Sequence, residues 1–129
     1  MIELVIKMPV KSFNLNQITN VNRGNRYAGA TAKKKAMQAI YIQIKDQVEK
    51  PLEGKYRVSA KWLVTHKNRD LDNLLLKNIF DCMQDNNLLR NDNLNHIVEI
   101  NHTFDIVKKD EEGVIVRFEG GNEYIENKH

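Results

Sequence analysis

The chain has 129 residues, 41% of them hydrophobic, with two prolines and six glycines, which suits one domain with a real core and excludes a disordered or low-complexity protein. A single cysteine excludes an intramolecular disulfide and a thiolate zinc cluster; no apolar run nears the roughly 18–20 residues of a membrane span and no signal-peptide core opens the chain, so a cytoplasmic, reducing compartment is expected. The net charge of +3 conceals a division: residues 1–69 carry 14 Lys and Arg against four acids, residues 70–129 six against 13. That division suggests a basic surface for a polyanion and an acidic cluster with a separate task, the bland alternative being two solvated faces.

In chain order, residues 3–8 predict a short strand stopped by Pro9, which has no N–H for a ladder. Residues 11–29, dense in Asn and holding Gly24 and Gly29, predict a long irregular loop of the kind that usually carries function. Thr31 predicts the N-cap of a helix with Met37, Ile40, Tyr41, Ile44 and Val48 on one face, ending before Pro51. Lys33, Lys34 and Lys35 then fall in its first turn, where the macrodipole disfavours cations by a few tenths of a kcal/mol and a bound phosphate reverses the sign. Residues 9–35 hold Lys11, Arg23, Arg26, Lys33, Lys34 and Lys35 and no acid. This favours nucleic-acid contact over a merely solvated helix end.

Tyr56, Val58, Ala60, Trp62 and Val64 alternate with mostly polar neighbours, the pattern of a half-buried strand. After His66, Lys67, Asn68 and Arg69, either Asp70 or Asp72 is expected to cap a second helix bearing Leu74, Leu75, Ile79, Phe80, Cys82 and Met83 and ending near residues 85–87. A polar turn at 90–93 leads to strands at 96–107 and 114–119, joined as a hairpin by residues 108–113. The order β-α-β-α-β-β gives an α+β fold class, a mixed sheet covered by two helices. Residues 1–119 form the domain and 120–129 a polar tail.

Asp70 and Asp72 lie two apart at the strand-to-helix junction, and Asp92 comes from the next polar turn. Three carboxylates without cysteine or a zinc-like His spacing are hard oxygen ligands suited to Mg²⁺ or Mn²⁺; taken alone, an Asp-x-Asp at a helix start also reads as simple capping. Only the fold decides whether Asp92 returns to the Asp70 and Asp72 end. A calcium loop beginning at Asp70 is excluded, because Leu74 and Leu75 would fill its fifth and sixth positions. His66, His96 and His102 show no ligand or nucleophile pattern, and there is no phosphate-binding glycine loop. Lys77 either adds positive charge near a phosphate or pairs with Asp81 four residues on.

Arg69-Asp70-Leu71-Asp72-Asn73-Leu74, then Lys77, Phe80-Asp81 and Asn91-Asp92 with a strand behind them, resemble the RusA-type Holliday-junction resolvases. More weakly, Met8-Pro9 and the Asn-rich loop with Asn22-Arg23-Gly24 extend the resemblance over roughly residues 2–118. The resemblance implies a homodimeric, Mg²⁺- or Mn²⁺-dependent endodeoxyribonuclease that nicks two opposed strands of a four-way DNA junction. It implies that Asp70, Asp72 and Asp92 are the catalytic, metal-holding acids and Lys77 the functional lysine, with Lys67 and Arg69 joining the basic residues above on DNA. Two departures stand out. Leu74, Leu75 and Leu76 separate Asn73 from Lys77, one residue more than the familiar form, a rotation of about 100° on an ideal helix unless a helix start absorbs it; and Asn91 stands where a second Asp is common. The rival readings are a catalytically silent branched-DNA-binding module of the same fold and a basic partner-binding protein.

Overall fold

The computed structural model describes residues 1–13, 26–66, 74–90 and 96–121, with the backbone alone for 26–33. The alternation of β2 (Lys55–Val64) organises the rest: Tyr56, Val58, Ala60, Trp62 and Val64 are buried while Lys55, Arg57 and Lys61 face solvent. A strand with one such face needs a covering layer. Two helices supply it, α1 (Arg26–Ile44) and α2 (Lys77–Asp85), packed against each other. Between them and the sheet lies one core with Leu4, Ile6, Ile40, Ile44, Ile79, Phe80, Met83, Val116 and Phe118.

The sheet is mixed. β1 (Ile2–Lys7), β2, β3 (Ile97–Ile106) and β4 (Gly113–Gly121) stand in the order β1-β4-β2-β3. β4 is antiparallel to both β1 and β2, whereas β2 and β3 are parallel, the connection that a crossover helix makes. All three strands β1, β2 and β3 therefore end at the same end of the sheet.

Three expectations are corrected. β3 and β4 form no hairpin, because β2 lies between them; the link, with a 3₁₀ turn at Lys109–Glu111, steps over one strand. The other edge of β4 is seated tightly on β1, where a Cβ on Gly113 would lie 2.1 Å from the Ile6 carbonyl oxygen. α1 is already helical at Arg26, before Thr31, so Lys33, Lys34 and Lys35 are not in its first turn and the macrodipole argument does not apply to them. Ala28, Ala30 and Ala32 favour helix strongly enough to carry Gly29 inside it. Lastly, α2 begins at Lys77 with Leu76 at its N-cap, so neither Asp70 nor Asp72 caps it. The Leu75 N–H donates instead to the Phe13 carbonyl (3.0 Å) and Leu74 and Leu76 are buried, which holds residues 74–76 outside the helix. The last strand, expected at 114–119, is one residue longer at its start and two at its end.

The two edges of the sheet differ. Along β1, Gln43 and Gln47 of the α1 end lay their amides on the open backbone: Lys7 N–H donates to Gln43 Oε1 (2.6 Å) and Gln43 Nε2 to Lys7 O (2.9 Å). Gln47 repeats the pair on Val5 at 2.7 and 2.9 Å. The four-residue step on a helix matches the two-residue step of outward backbone groups on a strand. Among the described residues, β3 has no such cover. Beyond Ile97 its residues are exposed, including Ile100, Phe104 and Ile106 on the face that β2 buries.

Candidate active site

The acidic run is bracketed by two fixed ends. Upstream, β2 ends on buried Val64, followed by Thr65 and His66. Downstream, Leu74 and Leu76 are buried and Leu75 is tied to Phe13, the last residue of the 3₁₀ turn Val10–Phe13. Phe13 stands edge-on to Trp62 of β2 with ring centroids 5.4 Å apart. Asn78, the buried polar side chain at the start of α2, donates Nδ2 to Ser12 O at 3.5 Å. Both brackets thus lie at the carboxyl end of β2. Lys67, Arg69, Asp70 and Asp72 between them lie outside the described residues, as do Arg23 and Asp92.

The brackets of residues 91–95 are elsewhere. Leu52 N–H donates to Leu88 O (2.8 Å) and Leu52 bridges Leu89. His96 O accepts from Tyr56 N–H (2.8 Å), and its Nδ1 lies 3.3 Å from Gly54 O. These contacts sit at the amino end of β2. At about 3.3 Å per residue the two ends of β2 are roughly 30 Å apart. The order β2-α2-β3, with β3 parallel to β2, sends α2 back along the sheet and produces this separation. Within one copy, the acids of 67–73 and Asp92 therefore do not share an anchoring point. Among the described residues no group of three or more His, Cys, Asp or Glu could hold a metal.

Lys77 is the first residue of α2 and mostly exposed, with Nζ 3.4 Å from Asp81 Oδ2. A pair this open is worth only a few tenths of a kcal/mol, so the ammonium is free to take another partner. Two of the remaining basic residues, Lys34 and Lys11, line separate concavities. Lys34 lines a groove between α1 and α2 with Tyr41, Ile42, Asp85 and Asn86, and Lys35 is exposed on α1. Arg26 and Lys33 belong to the α1 backbone, their side chains outside the described residues. Lys11 lines a separate cleft of about 490 Å³ where β1 and β2 end. There it is joined by Lys7 and Lys109, which the linear sequence did not single out. The pairing of Lys7 with Gly113 across β1 and β4 brings them together, and no local pattern announces it.

Cys82 is no nucleophile. Burial pushes its thiol up to about 11, and Sγ donates to Met37 O at 3.4 Å, so it is protonated at neutral pH. Among the described residues, no helix is long and apolar enough to cross a membrane. No family model matches the chain, and no curated protein matches it.

Proposed function

We propose that the chain is a divalent-metal-dependent endodeoxyribonuclease for branched DNA, acting on four-way junctions as a homodimer. The observation that carries this reading is the run Arg69-Asp70-Leu71-Asp72-Asn73, bracketed at the carboxyl end of β2 between a basic half of the chain and Lys77 at the head of α2. In open sheets, ligands bind outside the carboxyl ends of parallel strands. Asp70, Asp72 and Asp92 are hard oxygen donors that would hold Mg²⁺ or Mn²⁺, and the cation supplies charge neutralisation at a phosphodiester. The carboxylates orient that charge, Lys77 and Arg69 add their own beside the scissile phosphate, and the N-terminal basic residues hold the DNA backbone without choosing a sequence.

The separated brackets support two copies per site. Val107 N–H bonds to Val64 O, so by strand alternation Ile100, His102, Phe104 and Ile106 turn their backbone groups to the open edge. A second copy can pair there antiparallel, about a two-fold axis at Thr103. That register sets Ile100 against the partner's Ile106 and His102 against the partner's Phe104. It also places Asn101 opposite the partner's Asp105, whereas a two-fold at His102 would oppose Glu99 and Asp105, two like charges. The amino end of the partner's β3, with its Asp92 segment, then comes alongside the carboxyl ends of β3 and β2, where the Asp70 and Asp72 segment begins.

The test is a labelled four-way junction and its matching duplex incubated with Mg²⁺, Mn²⁺ or EDTA. Paired nicks confined to the junction and absent in EDTA are expected. Asp72→Asn should bind the junction and fail to nick it, and nicking at the wild-type rate would remove the catalytic assignment. Mixing Asp72→Asn with Asp92→Asn copies restores one intact site per dimer if the acids are shared between copies, and none if each copy is self-sufficient. Junction binding without any metal-dependent nicking would favour the silent module, to which Asn91 points.

A further inference from the structure

We infer that the cleft lined by Lys7, Lys11 and Lys109 is a second DNA contact, a track for the phosphate backbone of a duplex arm beside the acidic segment. The inference rests on the nuclease reading for its ligand and on the cleft itself for its place. β1 delivers Lys7 at its last residue, the 3₁₀ turn after Pro9 delivers Lys11, and the turn between β3 and β4 delivers Lys109. Thr65, the residue after the buried end of β2, closes the wall five residues ahead of Asp70.

The charge in this cleft is unbalanced. Among the described residues none of the three ammonium groups is ion-paired. The acids present are Asp110 and Glu112, and Glu112 Oε1 accepts from the Val10 N–H at 2.8 Å. That bond pins the turn carrying Lys11, while the Gln43 amide pins the backbone of Lys7 on both its N–H and its C=O. The Lys7 and Lys11 stems thus rise from fixed backbone into a concave wall, which concentrates positive potential where a polyanion can enter. Met8 in the lining adds apolar surface of the kind a deoxyribose can cover. The residues that bracket the acidic segment, Val64 to His66 and Leu74 to Leu76, and this cleft lie at the same end of the sheet, within reach of one phosphate chain.

The experiment compares junction binding in EDTA across a salt series for wild type, for Lys7→Gln with Lys109→Gln, and for Lys45→Gln with Lys50→Gln. The last pair removes the same charge from exposed positions after α1. Each phosphate contact contributes about 0.9 to the slope of log K against log salt, so the cleft variant should lose about two from that slope and the control nothing. A cleft slope equal to wild type, or equal losses in both variants, overturns the cleft and leaves the nuclease reading standing on the nicking assay. Absence of junction binding by the wild type takes down both. All four side chains are exposed, so an unchanged melting curve checks that the variants fold.

Discussion

The two edges of the sheet are alike in their chemistry and opposite in their treatment. β1 and β3 each carry a row of backbone groups with no neighbouring strand, a template for unwanted pairing. On β1, two glutamines from the end of α1 stand in for a strand, amide for peptide, at the right spacing. On β3, no such device appears among the described residues, and the apolar face continues uncovered from β2 onto Ile100, Phe104 and Ile106. An edge that the fold itself covers reads as protection; the apolar edge left open is the one on which the proposed dimer would pair.

The largest effect that tests this contrast lies on the closed side. Gly113→Ala should destabilise by about 3 kcal/mol, because the added methyl meets the Ile6 carbonyl and β1 must shift away from β4; a urea midpoint close to wild type would show that this edge is not tightly seated. Gln47→Leu should cost about 1–2 kcal/mol, since Val5 N–H and C=O lose their partners. On the open side, Phe104→Ser should change monomer stability by only about 0.5 kcal/mol. Its visible effect should be on mass in solution, measured by sedimentation, with the wild type sedimenting as a dimer and the variant as a monomer.

The smallest effect concerns pH. Trp62 Nε1–H donates to His102 Nδ1 at 3.0 Å with the two ring planes 13° apart, while burial lowers the His102 pKa from its ordinary 6.5. The folded state therefore binds fewer protons than the unfolded one as pH falls. The stability contributed by the neutral ring is present above 6.5 and is lost as pH drops through the folded value. His102→Gln should flatten that part of the stability profile, read from urea midpoints on either side of it.

Much of the architecture was legible from alternation. The β2 pattern at residues 56–64 announced both the strand and its buried face, and three other strands lie within two residues of expectation. The missed features are those that local chemistry cannot decide. Thr31 is a good cap and Gly29 a good loop residue, yet the alanines around them extend α1. Residues 108–113 look like a hairpin turn, but the edge of β4 that a hairpin would give to β3 is taken by β2, far earlier in sequence. For the candidate site, the residue types and their order could be read in Asp70, Asp72, Asp92 and Lys77. The anchoring of their segments at opposite ends of β2 could not, because it follows from the direction of β3. Lys7 and Lys109 were missed for the same reason, being joined only by the pairing of β1 with β4.

The Cys82 thiol, enclosed between α2 and the Met37 carbonyl of α1, is also a clock. A maleimide can react only when the seam between the helices opens and the sulfur regains its ordinary acidity, so its labelling rate in native buffer counts those openings. The chain thus carries, without any added probe, a reporter of how often its two covering helices part.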